Sequence, residues 1–195
     1  MDTEIAVGNT GQGAVLLLAA GRSRRFGSDK RQAVMEDGHT VLQRSYLAFA
    51  QGGLPVLVCQ AADDPSPLLP GAEVHFASEA QRGMGATLAS GARRLGDVDF
   101  VLVALGDMPW LHATSIAAVT AAASTEEIIV PSCDGRRGHP VAFGRAFLGE
   151  LRQLDGDQGA RELLARHASA VREIPVDDPG VLRDVDTPAD LRQPR

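Results

Sequence analysis

Residues 14–19, AVLLLA, form an unbroken apolar run that ends at Ala20 and Gly21. A run with no polar alternation reads as a strand buried on both faces, the mark of a central strand in a parallel sheet. Residues 98–105, VDFVLVAL, give a second strand closed by Gly106, with Asp107 just beyond it. Further strands are expected at 55–60, 72–77, 127–131, 139–144 and 171–176. Helical patterning falls between them, at 40–53, 85–95, 112–124, 145–154 and 157–168, with a short helix near Pro188. Strands alternating with helices predict an α/β three-layer sandwich with a mostly parallel sheet. Residues 1–13, rich in glycine and polar side chains, read as a flexible N-terminal tail, and 14–195 as a single domain.

In such a sheet, ligands bind outside the carboxyl ends of the strands, so the segments that follow the strands matter most. After the first comes AAGRSRRFGSDKR, which places Arg22, Arg24, Arg25, Lys30 and Arg31 around Gly21 and Gly27. The whole chain carries a formal charge of -6, so this local positive cluster is no general nucleic-acid surface. Glycines let backbone N–H groups approach an anion, and guanidinium and ammonium groups donate to phosphate oxygens. Neither the spacing of a P-loop nor that of a dinucleotide-binding fingerprint is present, so the cluster needs another explanation.

Asp107 in GDMP stands at a strand's carboxyl end, with Pro109 placed to open the next helix. Asp184 and Asp186 lie in DVDTP, where Thr187 before Pro188 has the form of a helix cap. One aspartate from each of two strand ends suits magnesium, which takes few carboxylates and completes its shell with water and substrate phosphates. GRRGHPV contributes His139, and GDQGAR contributes Arg161 and, as a cap candidate, Asp157. Cys59 and Cys133 read as a buried small residue and a loop thiol, with no metal or disulfide spacing. The acidic N-terminus and the lack of a long apolar segment predict a cytoplasmic protein with no membrane association.

Taken in order, LAAGRSRRFGSDK, GMGATLASG, LGDMP, GRRGHPV, GDQGAR and DVDTP resemble the molybdenum cofactor cytidylyltransferases, within the GT-A-like nucleotidyltransferases. The resemblance runs from about Val15 to Leu191. It implies a GT-A-like nucleotide-diphospho-sugar transferase fold and transfer of CMP from CTP to a terminal phosphate of molybdopterin. Pyrophosphate and molybdopterin cytosine dinucleotide would be the products. In this scheme Ala19, Ala20, Gly21, Arg22, Arg25, Lys30, Gly83 and Thr87 bind the nucleotide. Arg25, Lys30 and Asp107 are catalytic, Asp107 and Asp186 hold Mg2+, and His139, Asp157 and Arg161 shape the pterin side. Implied partners are a nucleoside triphosphate, molybdopterin, and a molybdenum hydroxylase or its chaperone. Three other readings stand beside it: guanylyl transfer to molybdopterin, nucleotidyl transfer to another phosphorylated small molecule, and a non-catalytic carrier of the finished cofactor. Relatives usually follow the lysine with an apolar residue, whereas this chain has Arg31-Gln32-Ala33.

Overall fold

The computed structural model describes residues 13–23, 25–157 and 159–192. Strand β1, Ala14–Leu18, is buried along its whole length at the centre of the sheet. It pairs in parallel with β2, Val56–Ala61, and with β4, Phe100–Leu105; β2 pairs in turn with β3, Glu73–Ala77. Beyond β4 lie β7, Val141–Gly144, and β5, Ile128–Cys133, with β7 antiparallel to both. A two-residue strand β6, Arg136–Arg137, and strand β8, Val171–Pro175, both pair with β5. The sheet order is therefore β3-β2-β1-β4-β7-β5-β6, with β8 on β5. The mostly parallel α/β reading holds.

Alternation along β1 sends its side chains into two cores. Ala14, Leu16 and Leu18 meet Leu88 of helix α2 (Met84–Ala92), Leu148 and Leu151 of α4 (Leu148–Leu151) and Leu163 of α5 (Arg161–Arg166). Val15 and Leu17 meet Leu42 and Phe49 of α1 (Val41–Ala50), and Ile116 and Val119 of α3 (Ala113–Ala122). Helices thus cover both faces, which is why β1 shows no polar alternation. A smaller core of Phe26, Val41, Trp110 and Val185 fastens the loop after β1 to the C-terminal segment.

Several expectations need correction. Helix α3 opens at Ala113 behind His112, not at Pro109. The helix expected at 145–154 is a 3-10 turn followed by the single turn of α4. Helix α5 begins at Arg161 with Ala160 as its cap, so Asp157 does not cap it. Cys133 is buried at the end of β5 rather than free in a loop. Burial raises the Cys59 thiol to about 12, which keeps it protonated and inert.

After β8 the chain forms a strap across the carboxyl ends of the strands. Its register is set by two backbone hydrogen bonds and by the carboxylate of Asp178. Val185 N donates to Asp107 O at 2.8 Å, and His139 N donates to Val181 O at 2.9 Å. Asp178, only 1% exposed, accepts from His112 N at 2.9 Å, Ser115 Oγ at 2.8 Å and Gly180 N at 2.8 Å. This remote carboxylate supplies the N-terminal cap that α3 lacks locally. Asp178→Ala strands the buried Gly180 N–H and Ser115 hydroxyl and the part-buried His112 N–H, so we expect a loss of about 2–4 kcal/mol. A urea melt with a midpoint like that of the parent protein would show that the cap is dispensable.

Candidate active site

The loop after β1 is folded by its own side chains. Ser23 adopts a positive φ of 49°, its carbonyl accepts from Phe26 N, and its hydroxyl accepts from Lys30 N at 3.1 Å. Asp29 caps the 3-10 turn Lys30–Gln32 by accepting from Arg31 N. The turn drives Lys30 inward, where it is only 8% exposed. Its ammonium lies 2.7 Å from Asp107 Oδ2 and 3.4 Å from Asp186 Oδ1. Burial disfavours the Lys30 charge, but Asp107 and then Asp186 hold its pKa above the ordinary lysine value. Arg25 reaches the other oxygen of Asp186 at 2.7 Å, with its own side chain largely in solvent. Two carboxylates from distant parts of the chain thus converge on one lysine.

Asp107 sits where it does because Gly106 N donates to Leu18 O at 2.9 Å, continuing the β1–β4 pairing past the strand ends. A Cβ at Gly106 would come within 2.8 Å of Leu42 Cδ1 and 3.1 Å of Leu18 O, so the position has no room for a side chain. Asp107 Oδ1 is buried without a hydrogen-bond partner. Asp184 lies in the same pocket of charge. Burial, then Asp107, then Asp186 raise its carboxyl above the ordinary aspartate value.

The expected binding residues fall in distinct places. Ala20, Gly21 and Arg22 line a cleft of about 340 Å³ together with Ser23, Asp29, Arg31, Ala61, Asp63 and Asp64. Ala19 lies below it, with its N–H donated to Cys59 O and its carbonyl taken by Arg31, so its backbone belongs to the protein interior. Arg22 pairs with Asp63 at 3.0 Å on the rim. Arg24 lies outside the described residues. Gly83, at φ +123°, packs against the 155–157 segment so closely that a Cβ would meet Asp157 Oδ1 at 2.3 Å. Gly83, Gly85 and the 155–157 segment therefore form one wall. Thr87 is buried, and its hydroxyl donates to Gly83 O, which holds that wall rather than presenting a free donor.

His139 is half-buried beside the carboxylates. Burial lowers its pKa, against the Val103 backbone and the charges of Asp107 and Asp184, so the ring is neutral at physiological pH. Its Nδ1 is buried without a partner. The ring thus sits beside the carboxylate cluster, while Asp157 and Arg161 are exposed on the other wall and at the start of α5. Arg136 and Arg137 of the same motif are exposed in β6, where Arg137 pairs with Glu173.

A lysine and arginines able to take a polyphosphate face two carboxylates at the carboxyl ends of a parallel sheet, which is the architecture of a nucleotidyltransferase. A family model described as "MobA-like NTP transferase domain" matches residues 15–171, and the chain belongs to that family. It is 32% identical over 188 residues to a probable molybdenum cofactor guanylyltransferase of Mycobacterium marinum, covering 93% of this chain and 92% of that protein. It is 29% identical to the purine catabolism protein PucB of Bacillus subtilis, over 89% and 91% of the two chains. Among solved structures, Rv0371c of Mycobacterium tuberculosis H37Rv superposes with a TM-score of 0.80 at 30% identity, covering 94% of this chain and 96% of that one. A further structure of Rv0371c is its complex with manganese. Among the described residues, no helix is long and apolar enough to cross a membrane.

Proposed function

We propose that the protein transfers CMP from CTP to a terminal phosphate of molybdopterin, releasing pyrophosphate. The observation that carries this reading is the Lys30 ammonium held between Asp107 and Asp186 beneath the glycine-containing loop. Supporting it are the family, the molybdenum cofactor named in the M. marinum relative, and Ala20 at the wall of the cleft.

A phosphate oxygen of the acceptor attacks the α-phosphorus; the bond from that phosphorus to the bridging oxygen of the leaving pyrophosphate breaks. The nucleophile is already an anion, so no strong general base is required. Lys30 and Arg25 neutralise charge on the triphosphate, and the loop backbone at Ala20 and Gly21 orients it for in-line transfer. The donor set fits a divalent cation: Asp107 Oδ1 is buried and unpartnered, and Asp186 lies across from it. Two carboxylates suit an ion that takes much of its shell from water and phosphate. Mg2+ held by Asp107 and Asp186 would supply charge neutralisation at the transferring phosphate. A carrier of finished cofactor has no use for this pair of carboxylates.

Guanylyl transfer from GTP is the second reading, favoured by the name of the M. marinum relative. Base choice separates the two. The methyl of Ala20 narrows the cleft where a glycine would admit a larger purine. One methyl group in a packed site commands about 1–3 kcal/mol, or roughly 5- to 150-fold. The wild type should therefore turn over CTP in preference to GTP, and Ala20→Gly should narrow that gap. Equal rates with both nucleotides in the wild type would remove the cytidylyl assignment. A CTP preference untouched by Ala20→Gly would move the discriminating contact to the Gly83 wall. Pyrophosphate release with molybdopterin and Mg2+ present is the assay, and its absence with every nucleotide would leave the carrier reading standing.

A further inference from the structure

Arg31 follows Lys30 in the basic loop, and its type suggests one more phosphate ligand. Its hydrogen bonds exclude that. A guanidinium has five N–H donors. In Arg31, Nε donates to Asp29 Oδ1 at 2.8 Å and Nη2 to Asp29 Oδ2 at 2.9 Å. Nη1 donates to Ala19 O and to Asp64 Oδ2, each at 2.7 Å, and Nη2 also donates to Asp64 Oδ1 at 2.7 Å. All five donors are satisfied inside the protein, and none remains for substrate.

The partners lie on three elements: the turn that carries Lys30, the end of β1, and the loop after β2. Asp64 is itself held by Gln60 Nε2 at 3.2 Å, and Gln60, fully buried, accepts from Leu68 N at 2.9 Å. Lys30 and Arg31 are neighbours that point to opposite sides. One meets Asp107 and Asp186; the other meets Asp29, Asp64 and Ala19. Fixing the second side chain fixes the direction of the first. The same bonds form the floor of the cleft walled by Ala20, Gly21 and Arg22. They also place a positive charge between Asp29 and Asp64, which otherwise face an incoming polyanion uncompensated.

We propose that Arg31 is a positioning residue for nucleotide transfer, a strut that ties the lysine turn to the ends of β1 and β2 and so aims Lys30 and holds the nucleotide cleft in its binding shape. This rests on the nucleotidyltransferase reading above. Lysine cannot replace the strut, because a single ammonium lacks the planar fork that spans two carboxylates and a carbonyl.

Three variants test it: Arg31→Lys, Asp64→Asn and the double. Calorimetric titration with CTP and Mg2+ should show each single variant weakened on the order of 10- to 100-fold, the scale of an ångström-level misplacement. The double should be no weaker than the worse single, because both remove one strut. The KM for molybdopterin should stay unchanged. Hydrogen exchange in the free protein should rise in segments 18–31 and 60–68 in each variant and stay unchanged in β4 and β7. Asp29→Asn offers a milder variant with the same expectation if either single fails to fold. Arg31→Lys that impairs binding while Asp64→Asn is silent would make Arg31 a substrate contact and overturn the proposal. So would unchanged exchange in both segments. If the wild type binds no nucleoside triphosphate, the functional reading falls, and the exchange measurement alone decides whether the strut exists.

Discussion

Asp107→Asn is expected to stop pyrophosphate release while leaving a folded protein. The two residues have the same shape, so the backbone bond from Val185 N to Asp107 O and the placement of the strap are retained. What changes is charge. The asparagine keeps an oxygen but offers a cation and the Lys30 ammonium, now 2.7 Å away, only a dipole. One charge acting on a transferring phosphoryl group commands on the order of 10³–10⁵ in rate, and a loss in that range is expected here. Stability should fall by no more than about 1–3 kcal/mol, because Lys30 retains Asp186 and an amide oxygen as partners. Circular dichroism and a thermal melt establish the fold, and a pyrophosphate assay establishes the rate. A folded variant that releases pyrophosphate at near the parental rate would remove Asp107 from the chemistry.

Much of this site is legible in the sequence because the fold itself supplies the rule. Ala14–Leu18 and Phe100–Leu105 are buried on both faces, so their composition alone marks them as central strands. Once they are placed, Lys30 and Asp107 follow from their position beyond strand ends. The illegible parts depend on partners distant in the chain. Arg31 has the composition of a phosphate ligand, and only Asp64, 33 residues away, and Ala19 make it a strut. His139 sits in a motif that suggests an open binding face, yet it is half-buried beside Asp107 and Asp184. Asp178 gives no local sign that it caps a helix more than 60 residues earlier. Helix α5 is shorter than its pattern predicts, because Asp157 packs against Gly83 instead of capping it. Periodicity reports burial along an element, but it carries no information on which polar groups meet across elements.

Lys30→Met should move two properties in opposite directions. In the free protein Lys30 neutralises Asp107 and Asp186 together, from a buried position. Removing its charge leaves two facing carboxylates, so Mn2+ should bind the nucleotide-free variant more tightly than the parent protein. Triphosphate binding should weaken, since a charge-assisted contact to phosphate contributes on the order of 1.5–3 kcal/mol. Turnover should fall further, on the order of 10²–10³, because the ammonium faces charge that shifts during transfer. Methionine replaces the apolar stem of the side chain and omits only the ammonium, so lost packing is not the main cause. Paramagnetic titration of Mn2+ reads the first effect, CTP calorimetry the second, and single-turnover kinetics the third. A surface lysine would leave all three unchanged. A lysine that only braces the fold would lower stability with no gain in Mn2+ affinity. A gain in metal affinity beside a loss of triphosphate affinity is the result that only a lysine shared between the carboxylates and the substrate produces.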